Sequence, residues 1–368
     1  MQRGRVRFIV TSVLMLSLLV SCSGESGTDT TVASEENPQT TEATPGETST
    51  TAESTTREPS TINYGIGGAG SFAFLTAYVA LGNGYLEEEL APLNVTFDQV
   101  DMSPTEGISA LATGNLDFIA ADAATALIAY AQGADIQQIV TFYDTGVLVV
   151  VAEPGIDVED PADMVEGRVW GVPSLGSSAH TFALVTLEAW GYEQDAVEFV
   201  LTGPTVEARA AVDRGVADVY WVGIPFGEEL IQSGQMNLAL DFYDPAVNAE
   251  IFAPQAPIVT MGVLGRPEYM EANPDVAAAV VRAHVRALEF MHENRGNPDA
   301  FRSLLPDVMQ IDLLPEVLDR VLTDGLSRDG IVRTEGIETN LAVLRTGELV
   351  DENAEVDIDA FVSNEYHD

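Results

Sequence analysis

The sequence predicts an α/β chain of two lobes, each a mostly parallel sheet flanked by helices. Three observations lead there. Short apolar strands alternate with helices from residue 62 onward, and the alternation halts and restarts near residue 148. Two stretches, "ALATGNLDFIAADAATAL" and "AAVDRGVADVYWVGIPFGEEL", also repeat one order of helix, Gly, Asp, strand, turn and helix.

Residues 1–21 carry Arg3, Arg5 and Arg7, then an apolar run from Phe8 to Val20 interrupted only by Thr11, Ser12 and Ser17. That order of charge and apolarity marks an export signal, and the run is too short to span a bilayer comfortably. Cys22, the only cysteine, follows directly. An exported lone cysteine has no partner for an internal disulfide, so a role outside redox chemistry is expected. Leu19-Val20-Ser21-Cys22 resembles the bacterial lipobox, in which the cysteine is acylated and becomes the mature N-terminus. The resemblance implies a lipid on Cys22. Residues 22–61 are Ser, Thr, Glu, Gly and Pro with almost no large apolar side chain, too little to offset ordering entropy, and are expected to be a disordered tether.

Lysine is absent, and the formal charge is −42. Such a charge repels phosphate backbones and anionic headgroups, which disfavours nucleic acid as a partner and leaves membrane attachment to the lipid.

The folded part opens with the strand "TINYGI" and the helical "SFAFLTAYVALGNGYLEEEL". "LNVTFDQVD" alternates as a strand, "SPTEGISALATGN" opens a helix at Ser103 and Pro104, and "LDFIAAD" is a buried strand. The helical "AATALIAYAQG" and the strand "IQQIVTFYD" complete the first set. After "GVLVVVAEPG" the pattern restarts with a helix, the strand "RVWGVP", a long helix from the serines, the strand "AVEFVLTG", the helix "TVEARAAVDRG" and the strand "ADVYWVG". "APIVTMGVLGRPEY" returns the chain, and the rest from Pro274 is largely helical. The expected division is lobe 1 at 62–147 plus 258–368 and lobe 2 at 148–257, with hinges near 147–153 and 254–264.

Five segments in order, "YVALGNGYLEEELAPLNV", "ALATGNLDFIAAD", "EDPADMVEGRVWGVPSLGSS", "AVDRGVADVYWVGIPFGEEL" and "RALEFMHENRGNPDAF", resemble the extracytoplasmic solute-binding proteins of ABC importers. The group is the one that takes up sulfonates, nitrate and thiamine-pyrimidine precursors. The resemblance implies a two-lobed periplasmic-binding-protein fold of type II, with a ligand cleft between the lobes. It also implies a lipoprotein outside the cell membrane that captures a small solute and delivers it to a permease and its ATPase. On that reading the chain works as a monomer, makes or breaks no bond, and takes no cofactor and no metal.

"GIGGAG" at 65–70 satisfies G-x-G-x-x-G between a strand and a helix. A dinucleotide site is disfavoured, because Asp98 and Asp101 fall later than the roughly 20-residue spacing and an exported protein meets no cytosolic nucleotide. What remains is a glycine loop that lets a ligand approach backbone N–H groups.

Ligands of open α/β sheets sit beyond the carboxyl ends of the strands. The candidate ligand residues are therefore Gly68, Ala69, Gly70, Ser71 and Phe72; Ala121, Asp122 and Ala123; Tyr143; Ser174, Gly176, Ser177 and Ser178; and Tyr220 with Trp221. The serines at a helix start can cap it or donate to a ligand, and Asp122 can be an N-cap or an acceptor. Alternation along a strand sends one of Tyr220 and Trp221 to the core and the other to the cleft. His284 and His292 lie eight apart with no third metal ligand in register, and His180 is in no hydrolase pattern. Arg168 is expected at the surface. The loops after the strands hold Asp122, Asp144 and aromatic residues but no Arg or Lys, which favours a neutral or weakly cationic nitrogen heterocycle such as a pyrimidine. Helix N-termini leave a small anion (sulfonate, taurine or nitrate) as the alternative.

Overall fold

The computed structural model describes residues 57–68, 70–175, 177–203, 205–252 and 257–367. Residues 1–21, Cys22, most of the tether, Ala69, Gly176 and the hinge residues 254–256 lie outside the described residues.

Ten strands are present among the described residues: β1 (Ser60–Ile66), β2 (Val95–Asp101), β3 (Phe118–Asp122), β4 (Gln137–Tyr143), β5 (Val149–Ala152), β6 (Val169–Val172), β7 (Glu198–Leu201), β8 (Val219–Val222), β9 (Asn237–Asp241) and β10 (Met261–Gly265). They form two five-stranded sheets, ordered β2-β1-β3-β10-β4 and β7-β6-β8-β5-β9. The chain leaves the first sheet after β4, builds the whole second sheet, and returns through β10. In each sheet the strand by which the chain enters, β5 or β10, runs antiparallel to both neighbours, whereas β1 with β2 and β3, and β6 with β7 and β8, are parallel.

Sequence pattern explains position in the sheet. β3 (FIAAD) is buried throughout and lies inside, while β2 (VTFDQVD) has a largely exposed, polar run and lies at an edge. β1 begins at Ser60 rather than after residue 61, so the expected tether ends sooner. Ser60 and Thr61 pair with Val95 and Thr96, and the two threonine hydroxyls are 2.9 Å apart, bonds that offset the ordering of these polar residues. At the return crossing, Gly262 lies where a Cβ would stand 2.0 Å from the Val140 carbonyl oxygen, so β10 fits against β4 only with glycine there.

Helices cover both faces of each sheet. The helix Pro274–Glu293 packs on Leu75–Gly82 and Tyr85–Leu90. The helix Thr334–Thr346 packs on two helices that belong to different sheets, Ala123–Ala131 and Ser178–Ala189. Its Ile337, Leu341 and Leu344 join the apolar cluster under the first sheet, and its Val343 joins that of the second. No helix among the described residues is long and apolar enough to cross a membrane.

Candidate functional site

The loop after β1 is built on glycine. Gly70 has φ 73°, its N–H donates to Tyr78 Oη at 2.8 Å, and a Cβ on it would fall 2.8 Å from Val308 Cγ1. A Cβ on Gly68 would stand 2.7 Å from the Phe74 ring. Ser71 caps the short turn Phe72–Phe74 by accepting from the Ala73 N–H at 3.3 Å. Phe72 is 0% exposed and belongs to the core. Its ring joins the apolar cluster that also holds Phe74, Leu75 and Tyr78.

At the ends of β3 and β4, Ala121 and Ala123 are buried, and the Asp122 carboxylate accepts from the Thr125 N–H at 2.8 Å. Of the two roles open to Asp122, the N-cap is the one seen. Burial raises its pKa against that bond. Tyr143 is wholly buried, and its ring meets Tyr243, which follows β9 of the other sheet, edge-on with centroids 5.9 Å apart. Neither hydroxyl has a partner among the described residues, and burial raises both pKa values.

Tyr220 and Trp221 join different apolar clusters on β8 as alternation requires, and both are fully buried. Tyr220 Oη accepts from the Ala217 N–H at 3.0 Å and donates to the Ala211 carbonyl. Trp221 packs on Trp170 and Phe242 at centroid distances of 5.5 and 5.7 Å. A doubly covered strand hands its alternate side chains to two helix layers, and both aromatics are core.

In the loop after β6, Ser174 is exposed. Ser177 accepts from the His180 N–H at 3.3 Å and donates its own hydroxyl to the Ser174 carbonyl at 2.8 Å. Ser178 begins the helix Ser178–Ala189 and lines a cavity shared by the two sheets. The other walls are Ala124, Val147, Leu148, Phe182, Thr260, Met261 and Asn340. The first turns of the helices Ala123–Ala131 and Ser178–Ala189 thus meet there, one from each sheet, each bringing the positive end of a helix dipole. The cavity holds about 20 Å³, room for about one water molecule. Asn340 is 2% exposed; its Nδ2 donates to the Val259 carbonyl at 2.8 Å, and its Oδ1 has no partner among the described residues.

Of the expected residues, Ser178 lines this cavity, Ala123 adjoins it through Ala124, and the β1 loop and Tyr220 and Trp221 do not line it. Asn340, Thr260 and Phe182 were not foreseen. Asn340 did leave a signal: it falls at helical spacing between Ile337 and Leu344 in an otherwise apolar stripe.

The five loops expected to line a cleft hold no Arg or Lys, with His180 their one possible cation, yet the fold brings an arginine to the end of β4. Arg333 stands 3.5 Å from Asp144, directly after β4. Burial pushes the Asp144 carboxyl up to about 6, with Arg333 opposing and Asp329 adding to the rise. Arg168 pairs with Asp163 at 2.6 Å and Asp218 at 3.8 Å. His284 Nδ1 donates to the Val280 carbonyl at 2.7 Å, which leaves Nε2 to accept from Tyr64 Oη, also at 2.7 Å. His292 Nε2 lies 2.9 Å from the Ser327 carbonyl. No group of three metal-ligating side chains occurs among the described residues.

Several solved structures share this architecture. The alkanesulfonate-binding protein SsuA of Xanthomonas axonopodis pv. citri, bound to MOPS, matches at TM-score 0.62 and 19% identity, over 83% of this chain and 99% of its own. The periplasmic aliphatic sulphonate-binding protein SsuA of Escherichia coli matches at 0.66 and 17%, over 84% and 99%. The periplasmic nitrate-binding protein NrtA of Synechocystis PCC 6803 matches at 0.63 and 12%, over 84% and 87%. No curated protein is significantly similar in sequence. The sequence model described as NMT1/THI5 like matches residues 71–298, more than half of the chain. With two mixed sheets joined by two crossings, the chain is a two-lobed periplasmic-binding-protein fold and belongs to the NMT1/THI5-like family.

Proposed function

We propose that the chain is the extracytoplasmic solute-binding component of an ABC importer, held to the membrane by a lipid on Cys22. It captures a small organic solute between lobes at 62–147 plus 258–368 and at 148–257, and presents it to a permease and its ATPase as a monomer without making or breaking a bond. The observation that carries the reading is the cavity lined from both sheets, onto which one helix start from each converges. At about 20 Å³ it is far below the several hundred Å³ of a small-molecule site, so capture requires the lobes to part and close again around the solute.

A nitrogen heterocycle suits this site better than a free anion. Asp144 has its own cation in Arg333, so no unpaired positive side chain is left for an anionic solute at the end of β4. The aromatics expected to stack on the solute, Phe72, Tyr143, Tyr220 and Trp221, are all fully buried, and the aromatic side chain on the cavity wall is Phe182. The sulfonate- and nitrate-binding proteins of the same fold, and the two helix starts, favour the small anion as second reading. A thermal-shift panel of pyrimidines, other heterocycles, taurine, alkanesulfonates and nitrate tests both. A cognate solute at 100 times its Kd adds about 2.7 kcal/mol of stability. A shift with nitrate or sulfonates alone would sink the heterocycle reading.

A further inference from the structure

Asn340 is an unforeseen wall of the site, and its chemistry is one-sided. Its Nδ2 is committed to the Val259 carbonyl at 2.8 Å, and that bond fixes which way the amide faces. Turning it over would set two carbonyl oxygens against each other. The atom left over is Oδ1, which can only accept. It is buried, has no partner among the described residues, and belongs to a residue that lines the cavity where the two helices begin. The same cavity is lined by groups of the opposite character. The first-turn N–H groups of a helix are donors, and the Ser178 hydroxyl can donate as well as accept. An unmet buried acceptor costs about 1–3 kcal/mol, so whatever occupies this space is rewarded for supplying a hydrogen there.

We infer that Asn340 is a specificity residue of the solute site, accepting a hydrogen bond from an N–H or O–H of the solute while the helix starts donate to an acceptor on the same molecule. The inference rests on the reading that the interlobe cavity is where the solute is held. It narrows the solute class to molecules bearing a donor and an acceptor close together, as on the edge of an amide, amidine or pyrimidine. Nitrate and methanesulfonate carry acceptors alone at neutral pH. They satisfy the helix starts and leave Oδ1 unmet.

Calorimetric titration of the purified full chain with four probes, uracil, cytosine, nitrate and methanesulfonate, tests this against three variants. Ser178→Leu fills the cavity from the other lobe and reports whether a probe binds there. Asn340→Leu removes the acceptor, and Asn340→Asp, titrated at a pH low enough for its second oxygen to be protonated and donate to the Val259 carbonyl, keeps an acceptor at the same place should the leucine variant fold poorly. The expected result is binding of a heterocycle, loss of that binding in Ser178→Leu, at least tenfold weakening in Asn340→Leu, and retention within a few-fold in Asn340→Asp. Heterocycle binding lost in Ser178→Leu but unchanged in Asn340→Leu would overturn the role of Asn340 and leave the site standing. Binding of nitrate or methanesulfonate alone, abolished by Ser178→Leu, would do the same. Binding that survives Ser178→Leu, or no binding of any probe, would overturn the site and the inference together.

Discussion

Arg320 Nε donates to Glu228 Oε2 at 2.6 Å, and the same guanidinium reaches Asp241. Arg320 lies on the helix Leu314–Val321 late in the chain, whereas Glu228 and Asp241 belong to the second sheet's half. Glu228 is 1% exposed, and its other oxygen accepts from Gln232 Nε2. The pair therefore ties the C-terminal segment to the lobe from which the chain has already departed.

Replacing Arg320 with Met strands a buried carboxylate, which costs about 3–5 kcal/mol. Denaturant unfolding should show a loss of that size, and Glu228→Gln placed beside it should recover part of the loss. A change under 1 kcal/mol in Arg320→Met would mean that the pair is not held in solution.

Two buried groups oppose each other in acid. His284 is held down to about 4 by burial, with the Val280 bond opposing, so below its ordinary 6.5 the unfolded chain takes up a proton that the folded chain refuses. Stability from this source is full above pH 6.5 and falls by about 3 kcal/mol as pH drops to 4. Asp144, raised to about 6 from 3.8, has the other sign: its contribution is full below pH 3.8 and is lost as pH rises through 6. Asp144→Asn should therefore lose stability more steeply than wild type between pH 6.5 and 4, the difference reaching about 2 kcal/mol. Parallel pH profiles from denaturant titration would refute the assignment.

Gly262→Ala should be poorly tolerated. Its Cβ would meet a backbone oxygen at 2.0 Å, and a strand carbonyl cannot rotate away as a side chain can. We expect a cost of about 2–4 kcal/mol or failure to accumulate as folded protein, against under 1 kcal/mol for Gly223→Ala, where nothing lies within 4 Å and φ is not positive.

Cys22→Ala should move the protein from the membrane to the soluble fraction of a bacterial host, since two acyl chains anchor firmly and a chain without them has only a poorly spanning apolar segment. Equal membrane association of variant and wild type would argue against acylation.

Closure about 147–153 and 254–264 should appear in solution scattering as a smaller radius when a cognate solute saturates the protein. A ligand with equal affinity for open and closed forms shifts neither, so an unchanged profile at saturation would reject lobe closure.

The alternation of strands and helices was legible because each central strand is a short apolar run, such as "FIAA" in β3 and "VVVA" in β5, between glycine-bearing turns. Helix starts were legible for the same local reason: Ser103, Asp122 and Ser177 all cap the helices they precede. Side-chain direction was less so. Alternation along "VYWV" says that Tyr220 and Trp221 part company, and says nothing of what covers each face. Both faces are covered here, a fact set by the helices on either side of the sheet. Arg333 and Asn340 reach the site from almost 200 residues beyond β4, and no local pattern encodes so distant a return. Only a polar residue interrupting an apolar stripe marked one of them.

The helix Thr334–Thr346 bears on both halves of the molecule, and a glycine at each end lets it seat closely on them. A Cβ on Gly336 would stand 2.6 Å from the Val259 side chain, ahead of β10, and one on Gly347 would stand 2.9 Å from Thr181, in the helix Ser178–Ala189. Its buried side chains are held in both apolar clusters, so the two halves share one girder. A bulkier residue at either seat should pry the helix from one half without altering a single group that lines the cavity.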